Sequence, residues 1–257
     1  MNIQKPQLNL RPRLRAAGIH LLISMVVAAL AAAMVFALWY PWPYRVVSGG
    51  QGLFVLVVTV DLVLGPLLTL AVFDTAKGWR HLRRDLAVIG ALQTAALAYG
   101  VHTVYEVRPV AMVFETDRFR VIKAVDVHLA ELHLAPPAFR SLPLTGPWLL
   151  GARAPKAGSE RTDALFLGIG GVDVAQRPLF WQPYELSRTA ALARSRPVSA
   201  LLQRYPSETQ TINQAIRSAG MSVDQARFLP LVARRDWVVL LSPKGDVSGY
   251  LPLDGFF

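Results

Sequence analysis

Asp61 is the residue whose type and setting most invite chemistry. It stands inside the apolar run Phe54–Phe73. About 20 apolar residues at 1.5 Å rise per residue match a hydrocarbon core of about 30 Å. An acid at that depth costs roughly 2.5–3.5 kcal/mol on insertion scales and turns toward other helices or a polar cavity. Gly65 and Pro66 follow a turn later, and Thr69 a turn beyond them. Pro66 removes a backbone donor that neighbouring groups must compensate. Two roles fit these residues. One is a kinked, packed helix with Asp61 hydrogen-bonded inside a bundle. The other is an intramembrane docking site for a partner helix. Depth counting offers two partners for Asp61 on a later span: Tyr99 and His102, about 9 and 5 Å below the same membrane face, against about 12 Å for Asp61. By the same count His20 lies level with Thr69.

The other reactive residues do not assemble into a catalytic pattern. His128 and His133 flank Glu131, but five-residue spacing puts the imidazoles about 140° apart on a helix, away from a shared metal. Gly168-Ile-Gly170-Gly171 has neither the G-x-G-x-x-G spacing nor the Lys-Ser/Thr of a phosphate loop, and reads as a turn. Neither G-x-S-x-G nor S-x-x-K occurs. The expectation is a protein that is not an enzyme, with no catalytic residue, cofactor or metal ligand.

The elements that must hold Asp61 follow from composition. The 257 residues are 53% hydrophobic, carry no Cys and have a net charge of +10, with a mean hydropathy of +0.35. That apolar excess belongs in membrane spans. Three are expected, at about 16–40, 53–73 and 86–105, after a basic N-terminal segment 1–15. The first ends in the aromatic belt Trp39-Tyr-Pro-Trp-Pro-Tyr44. A cleaved signal peptide would share the basic start and Ala31-Ala32-Ala33, but the apolar run continues past them to the belt, so an uncleaved span fits better. Lys5, Arg11, Arg13 and Arg15 precede span one; Lys77, Arg80, Arg83 and Arg84 lie between spans two and three; Arg45 stands alone in the other loop. The positive-inside rule therefore places the N-terminus in the cytoplasm and residues 106–257 across the membrane, in the periplasm of a double-membrane bacterium. The charge is accounted for by topology, and no nucleic-acid partner is needed.

Residues 106–257 read as an α+β domain, large enough for its own core. Strands are expected at 109–115, 118–125, 148–153, 228–232, 237–241 and 247–251. Helices are expected at 127–134, 160–167, 184–196, 197–204 and from a Ser207/Gln210 capping box to Gly220.

With the spans placed, three stretches resemble a known family. They are Arg15-Ala-Ala-Gly-Ile-His20-Leu-Leu-Ile-Ser24 with Trp39-Tyr-Pro, Val60-Asp61-Leu-Val-Leu-Gly65-Pro66-Leu-Leu-Thr69-Leu, and Leu92-Gln93-Thr-Ala-Ala-Leu-Ala-Tyr99-Gly-Val-His-Thr-Val-Tyr105 followed by Arg108-Pro-Val-Ala-Met-Val-Phe114. Together they are similar to the TfpX/TfpZ type IV pilin accessory proteins over roughly residues 15–120, and more loosely beyond. The resemblance implies a multi-pass protein of the bacterial inner membrane, with a chaperone-like role in stabilising the type IV major pilin or promoting its assembly. The lipid bilayer is the other partner, and the oligomeric state is left open. Asp61, Gly65, Pro66, Thr69, Tyr99 and His102 are the expected partner or packing residues in the membrane. Two other classes stay in view: an envelope assembly scaffold, and an enzyme modifying an envelope component.

Overall fold

The computed structural model describes residues 10–74 and 78–257. Lys5 and Lys77, counted above among the orienting charges, lie outside the described residues, as does the N-terminal segment up to residue 9. Three helices are long and apolar enough to cross a membrane: Leu10–Trp39, Gly50–Val72 and Trp79–Glu106. The first, α1 (Leu10–Met34), continues into a π-helical turn at Val35–Trp39. The short helix α2 (Tyr44–Val47) follows, then α3 (Gly50–Val72), which runs unbroken through Pro66, and α4 (Trp79–Glu106).

All three long helices begin or end differently from the hydropathy pattern. Arg11, Arg13 and Arg15 are helical, and so are Trp79 to Asp85, expected as loop. The helical ladder satisfies backbone groups whether or not the side chains are apolar. Long basic side chains can therefore extend a span into the interface with the charge held in water. Arg13 reaches Asp74 at 3.4 Å, joining the start of α1 to the chain just after α3.

The chain forms two compact units. One comprises the residues up to Ala37 with Gln51–Tyr105; the other comprises Leu38–Gly50 with Glu106–Phe257. In the first, Phe36 and Phe54 meet edge to face at 5.2 Å, and Gly100 lets Val57 approach α4. Many Leu and Val side chains, such as Leu22, Leu30, Leu56 and Leu92, face outward, as suits helices solvated by lipid.

The second unit is built on β1 (Pro109–Glu115), β2 (Arg118–Lys123), β3 (Trp148–Ala152), β4 (Trp181–Pro183), β5 (Arg196–Pro197), β6 (Arg227–Val232), β7 (Trp237–Leu241) and β8 (Val247–Leu251). They form one mixed sheet in the order β4-β3-β1-β2-β6-β7-β8, with β5 also paired to β6. β1 pairs antiparallel with β2 and parallel with β3, and β2 lies parallel to β6. β1 and β7 are buried at every residue, so layers cover both faces. Alternate side chains sort between them. Met112, Phe114, Val239 and Leu241 join one cluster with Tyr184, Ala191 and Val47. On the other face Val113 and Ile122 pack with Leu150 and Trp181. Val238 and Leu240 meet Ile212 and Ile216 of α8 (Thr209–Ser218).

The connection between the first two spans thus contributes to this core. Val47 is 1% exposed; its carbonyl accepts the Arg234 N–H at 3.3 Å. Gly49 has φ +78°, and a Cβ there would meet Arg234 Cδ at 2.3 Å, so the position requires glycine on both counts.

Several expected helices differ. Residues 129–134 form a 3-10 segment. The helix expected over 184–196 breaks at Ser187, whose hydroxyl accepts the Gln182 amide at 2.8 Å, and resumes as α6 (Arg188–Arg194). Arg196 and Pro197 pair with β6 before α7 (Ser199–Arg204). Pro206–Glu208 is a 3-10 turn, so Ser207 lies inside it and Glu208 occupies the N-cap of α8 without a side-chain bond.

Two outcomes follow. Val47→Asp puts an unpaired carboxylate on the sheet face and should cost about 3 kcal/mol or more, read as lost amide protection in β6 and β7 by hydrogen exchange on the full chain; unchanged protection would remove Val47 from the core. Arg153 and the Lys156 N–H also hold the Glu160 carboxyl down, from 4.5 to about 2. This clamp therefore stabilises fully above pH 4.5 and is lost as pH falls through about 2. A carbon-13 titration of Glu160 with its midpoint near 4.5 would show that no such clamp exists.

Candidate functional site

The first unit holds a directed chain of hydrogen bonds. His20 of α1 lies 2.5 Å from Thr69 Oγ1 of α3 through Nδ1, and 2.5 Å from Gln93 Oε1 of α4 through Nε2. Gln93 Nε2 then donates to the Asp61 carbonyl at 3.1 Å. With an amide oxygen as its acceptor, Nε2 carries the proton, so Nδ1 accepts from the Thr69 hydroxyl. Each donor has an acceptor, and three helices are joined by four residues.

The local sequence makes this possible. Pro66 deprives the Leu62 carbonyl of its donor, and the Gln93 amide arrives at the neighbouring carbonyl, that of Asp61. Gly65 admits it: a Cβ at 65 would lie 2.0 Å from Gln93 Nε2. Thr69 is 1% exposed. Beside the chain lies a cavity of about 160 Å³, lined by His20, Ser24, Asp61, Gly90, Gln93 and Thr94 among others. Among the described residues no hydrogen bond or ion pair involves the Asp61 carboxyl. The arrangement contains no activated nucleophile, so what it can do chemically is tie helices together and offer a polar lining.

Of the six expected residues, Gly65 and Thr69 are brought to this chain, Pro66 adjoins it, and Asp61 contributes its carbonyl while its side chain lines the cavity. Tyr99 and His102 are elsewhere. Tyr99 is 74% exposed and His102 is exposed too. The Asp61–Tyr99 and Asp61–His102 pairs are not formed. The reason is rotational. Ile89, Gln93, Gly100 and Val104 share the inward side of α4, and at 100° per residue Tyr99 and His102 point about 120° and 180° from Gln93. Depth alone could not show this. Gln93 was the residue missed; the signal was an amide at a depth that matches a glycine on the neighbouring span.

In the second unit, ion pairs fasten segments onto the sheet. Glu115 receives Arg120 Nε at 2.8 Å and the Ala175 N–H at 3.0 Å, and Arg120 also reaches Asp173 at 2.8 Å. Glu131, considered above beside two histidines, grips Arg177 through three contacts of 2.5–3.1 Å. Arg177 is 3% exposed and stacks over Phe180 at 4.6 Å. A cleft of about 260 Å³ is lined by Ser48, Arg120, Lys123, Asp126, Gln176 and Arg234, among others.

The membrane chain can be tested by a double-mutant cycle. Thr69→Val and Gln93→Leu each remove one end of the His20 link, and their coupling in lipid should be about 0.6–1.7 kcal/mol, measured by unfolding of the full chain in bicelles. A coupling of zero would show that His20 does not transmit between them.

The family model described as "Fimbrial assembly protein FimB" matches residues 8–49. A fimbrial assembly protein of serogroup I from Dichelobacter nodosus is 35% identical over 245 residues, 94% of this chain and 95% of that protein. The serogroup E1 protein of the same organism is 34% identical over 245 residues, again 94% and 95%. A third relative, of serogroups C1 and C2, is 40% identical over 118 residues, 46% of this chain and 90% of its own length. No solved structure matches. With over nine-tenths of both chains aligned in the first two cases, the chain belongs to the fimbrial assembly protein family.

Proposed function

We propose that this protein is an inner-membrane accessory factor of type IV pili, of the TfpX/TfpZ kind. It acts without catalysis to stabilise the major pilin or to promote its incorporation into the fibre. The observation that carries this reading is the end-to-end similarity to proteins named for fimbrial assembly. Three apolar helices and a folded α+β unit support it, since an unassembled pilin has an apolar helix in the membrane and a head outside it. In the proposed topology the N-terminus is cytoplasmic and residues 106–257 are periplasmic, where they select the pilin head.

The contact in the membrane is constrained by packing. Gly65 and Thr69 are taken up by Gln93 and His20. The surface left for a partner helix is the side carrying Asp61 and its cavity, together with the outer face of α4 bearing Tyr99 and His102. Small residues there (Ala28 and Gly90) permit close approach, and Asp61 supplies a polar group for an interhelical hydrogen bond.

An in-frame deletion in the native host, scored for total pilin and for surface pili, tests the proposal. Depletion of both, restored by the intact gene, is the expected result. Pili lost with pilin intact would shift the role to assembly or retraction, and both unchanged would refute it. Asp61→Asn should lower piliation if the cavity side meets pilin; unaltered pilin and pili with this variant would remove the membrane contact while leaving the head contact standing.

A further inference from the structure

In the second unit, α5 (Ser159–Ile169) is set apart from the other α-helices. It has no buried residue, whereas α2, α6, α7 and α8 each bury at least one. An 11-residue helix is marginal in water without a packed face, yet α5 turns Leu165, Phe166 and Ile169 outward at 63%, 67% and 76% exposure. A cluster of large apolar side chains this exposed marks a contact surface.

Its charges are sorted around the helix. At 100° per residue, Leu165, Ile169 and Phe166 span an arc of about 100°, with Thr162 within it and Arg161 about 40° from Leu165 on its border. Glu160 lies about 140° from Leu165 and about 120° from Phe166, on the opposite side, and Asp163 about 60° beyond Phe166, flanking the other edge of the arc. Glu160 is held there by Arg153 at 2.8 and 2.9 Å, and the Lys156 side chain is exposed just before the helix. An exposed apolar arc with Arg161 on one edge, Lys156 just before the helix and Glu160 turned away suits a helix that lies in a membrane interface bearing anionic headgroups.

We propose that α5 rests in the surface of an anionic lipid bilayer, with Leu165, Phe166 and Ile169 at the headgroup–acyl boundary and Arg161 and Lys156 against lipid phosphates. The occupant follows from the chain itself. Three of its helices are fit to cross a bilayer, and only Val107 and Arg108 separate α4 from β1. Lipid is therefore presented to this unit at high effective concentration without a binding step in solution. This inference does not depend on the pilus reading.

The absence of Cys makes the test direct. Single variants Leu165→Cys, Phe166→Cys, Ile169→Cys and Asp163→Cys of the full chain are labelled with nitroxide and reconstituted in vesicles of phosphatidylglycerol and phosphatidylethanolamine. The expected result is a several-fold higher ratio of oxygen to nickel-chelate accessibility at the first three sites than at Asp163→Cys. The difference should shrink when Arg161→Glu and Lys156→Glu are added, or when the lipid is wholly zwitterionic. Water-like accessibility at all four sites overturns the proposal. Protection that appears only when a second protein is added also overturns it, and would identify α5 as a protein-binding face.

Discussion

A polar group in hydrocarbon must find a partner inside the protein, and the membrane unit is arranged around one answer to that constraint. Thr69, His20, Gln93 and the Asp61 carbonyl pass hydrogen bonds in one direction across three helices. Each link restricts the next. Gln93 fits only because residue 65 has no side chain, its amide meets a carbonyl beside the one that Pro66 leaves without a donor, and the imidazole has one geometry that satisfies both neighbours. Apolar packing alone tolerates rotation of one span against another, since lipid and leucine are equivalent surroundings. A completed chain of donors and acceptors fixes the rotation of all three. That fixed rotation determines which residues face outward: Tyr99 and His102 are on the outer face because Gln93 is on the inner one.

The second unit solves a different problem, that of covering a sheet. Its sheet buries β1 and β7 on both faces, so irregular segments as well as helices must serve as covers. Ionic groups pin those covers. Glu115, Arg120 and Asp173 fasten the 173–175 stretch to β1 and β2, and Glu131 of the 129–134 segment holds Arg177. The α5 helix lies outside this scheme. It is clamped at its start by Arg153 and buries none of its side chains fully, while Leu165, Phe166 and Ile169 face outward.

The sequence made the three spans and most of the sheet visible for a simple reason. Long apolar runs for the spans, and short continuous ones for strands such as Pro109–Glu115 and Trp237–Leu241, are local signals. What it hid was non-local. β4, three residues ending in proline, has no periodicity of its own and exists because β3 offers an edge. Ser187, itself buried, interrupts a good helical pattern where the half-buried Gln182 amide claims its hydroxyl. The role of Gln93 depends on a glycine 28 positions earlier on another helix. Depth along a span could be counted from the chain, and it did place His20 level with Thr69. The angle around the span could not, so Tyr99 and His102 were paired on paper with an acid they do not face.

The short stretch from Leu38 to Gly50 belongs to the core of a unit whose remaining residues begin at Glu106. This has a consequence for how the protein is made. Val47 leaves the ribosome about 190 residues ahead of Trp237, in whose cluster it is buried, a gap of roughly 10–40 s at about 5–20 residues per second. Within that interval α3 and α4 are completed and the earlier members of the cluster, such as Met112 and Tyr184, are made before those of β6 and β7. The β6–β7 hairpin therefore supplies the last fully buried members of the cluster around Val47. Until it arrives, the earliest piece of the second unit is only partly covered, and a chain halted before it would leave the rest of that apolar face open.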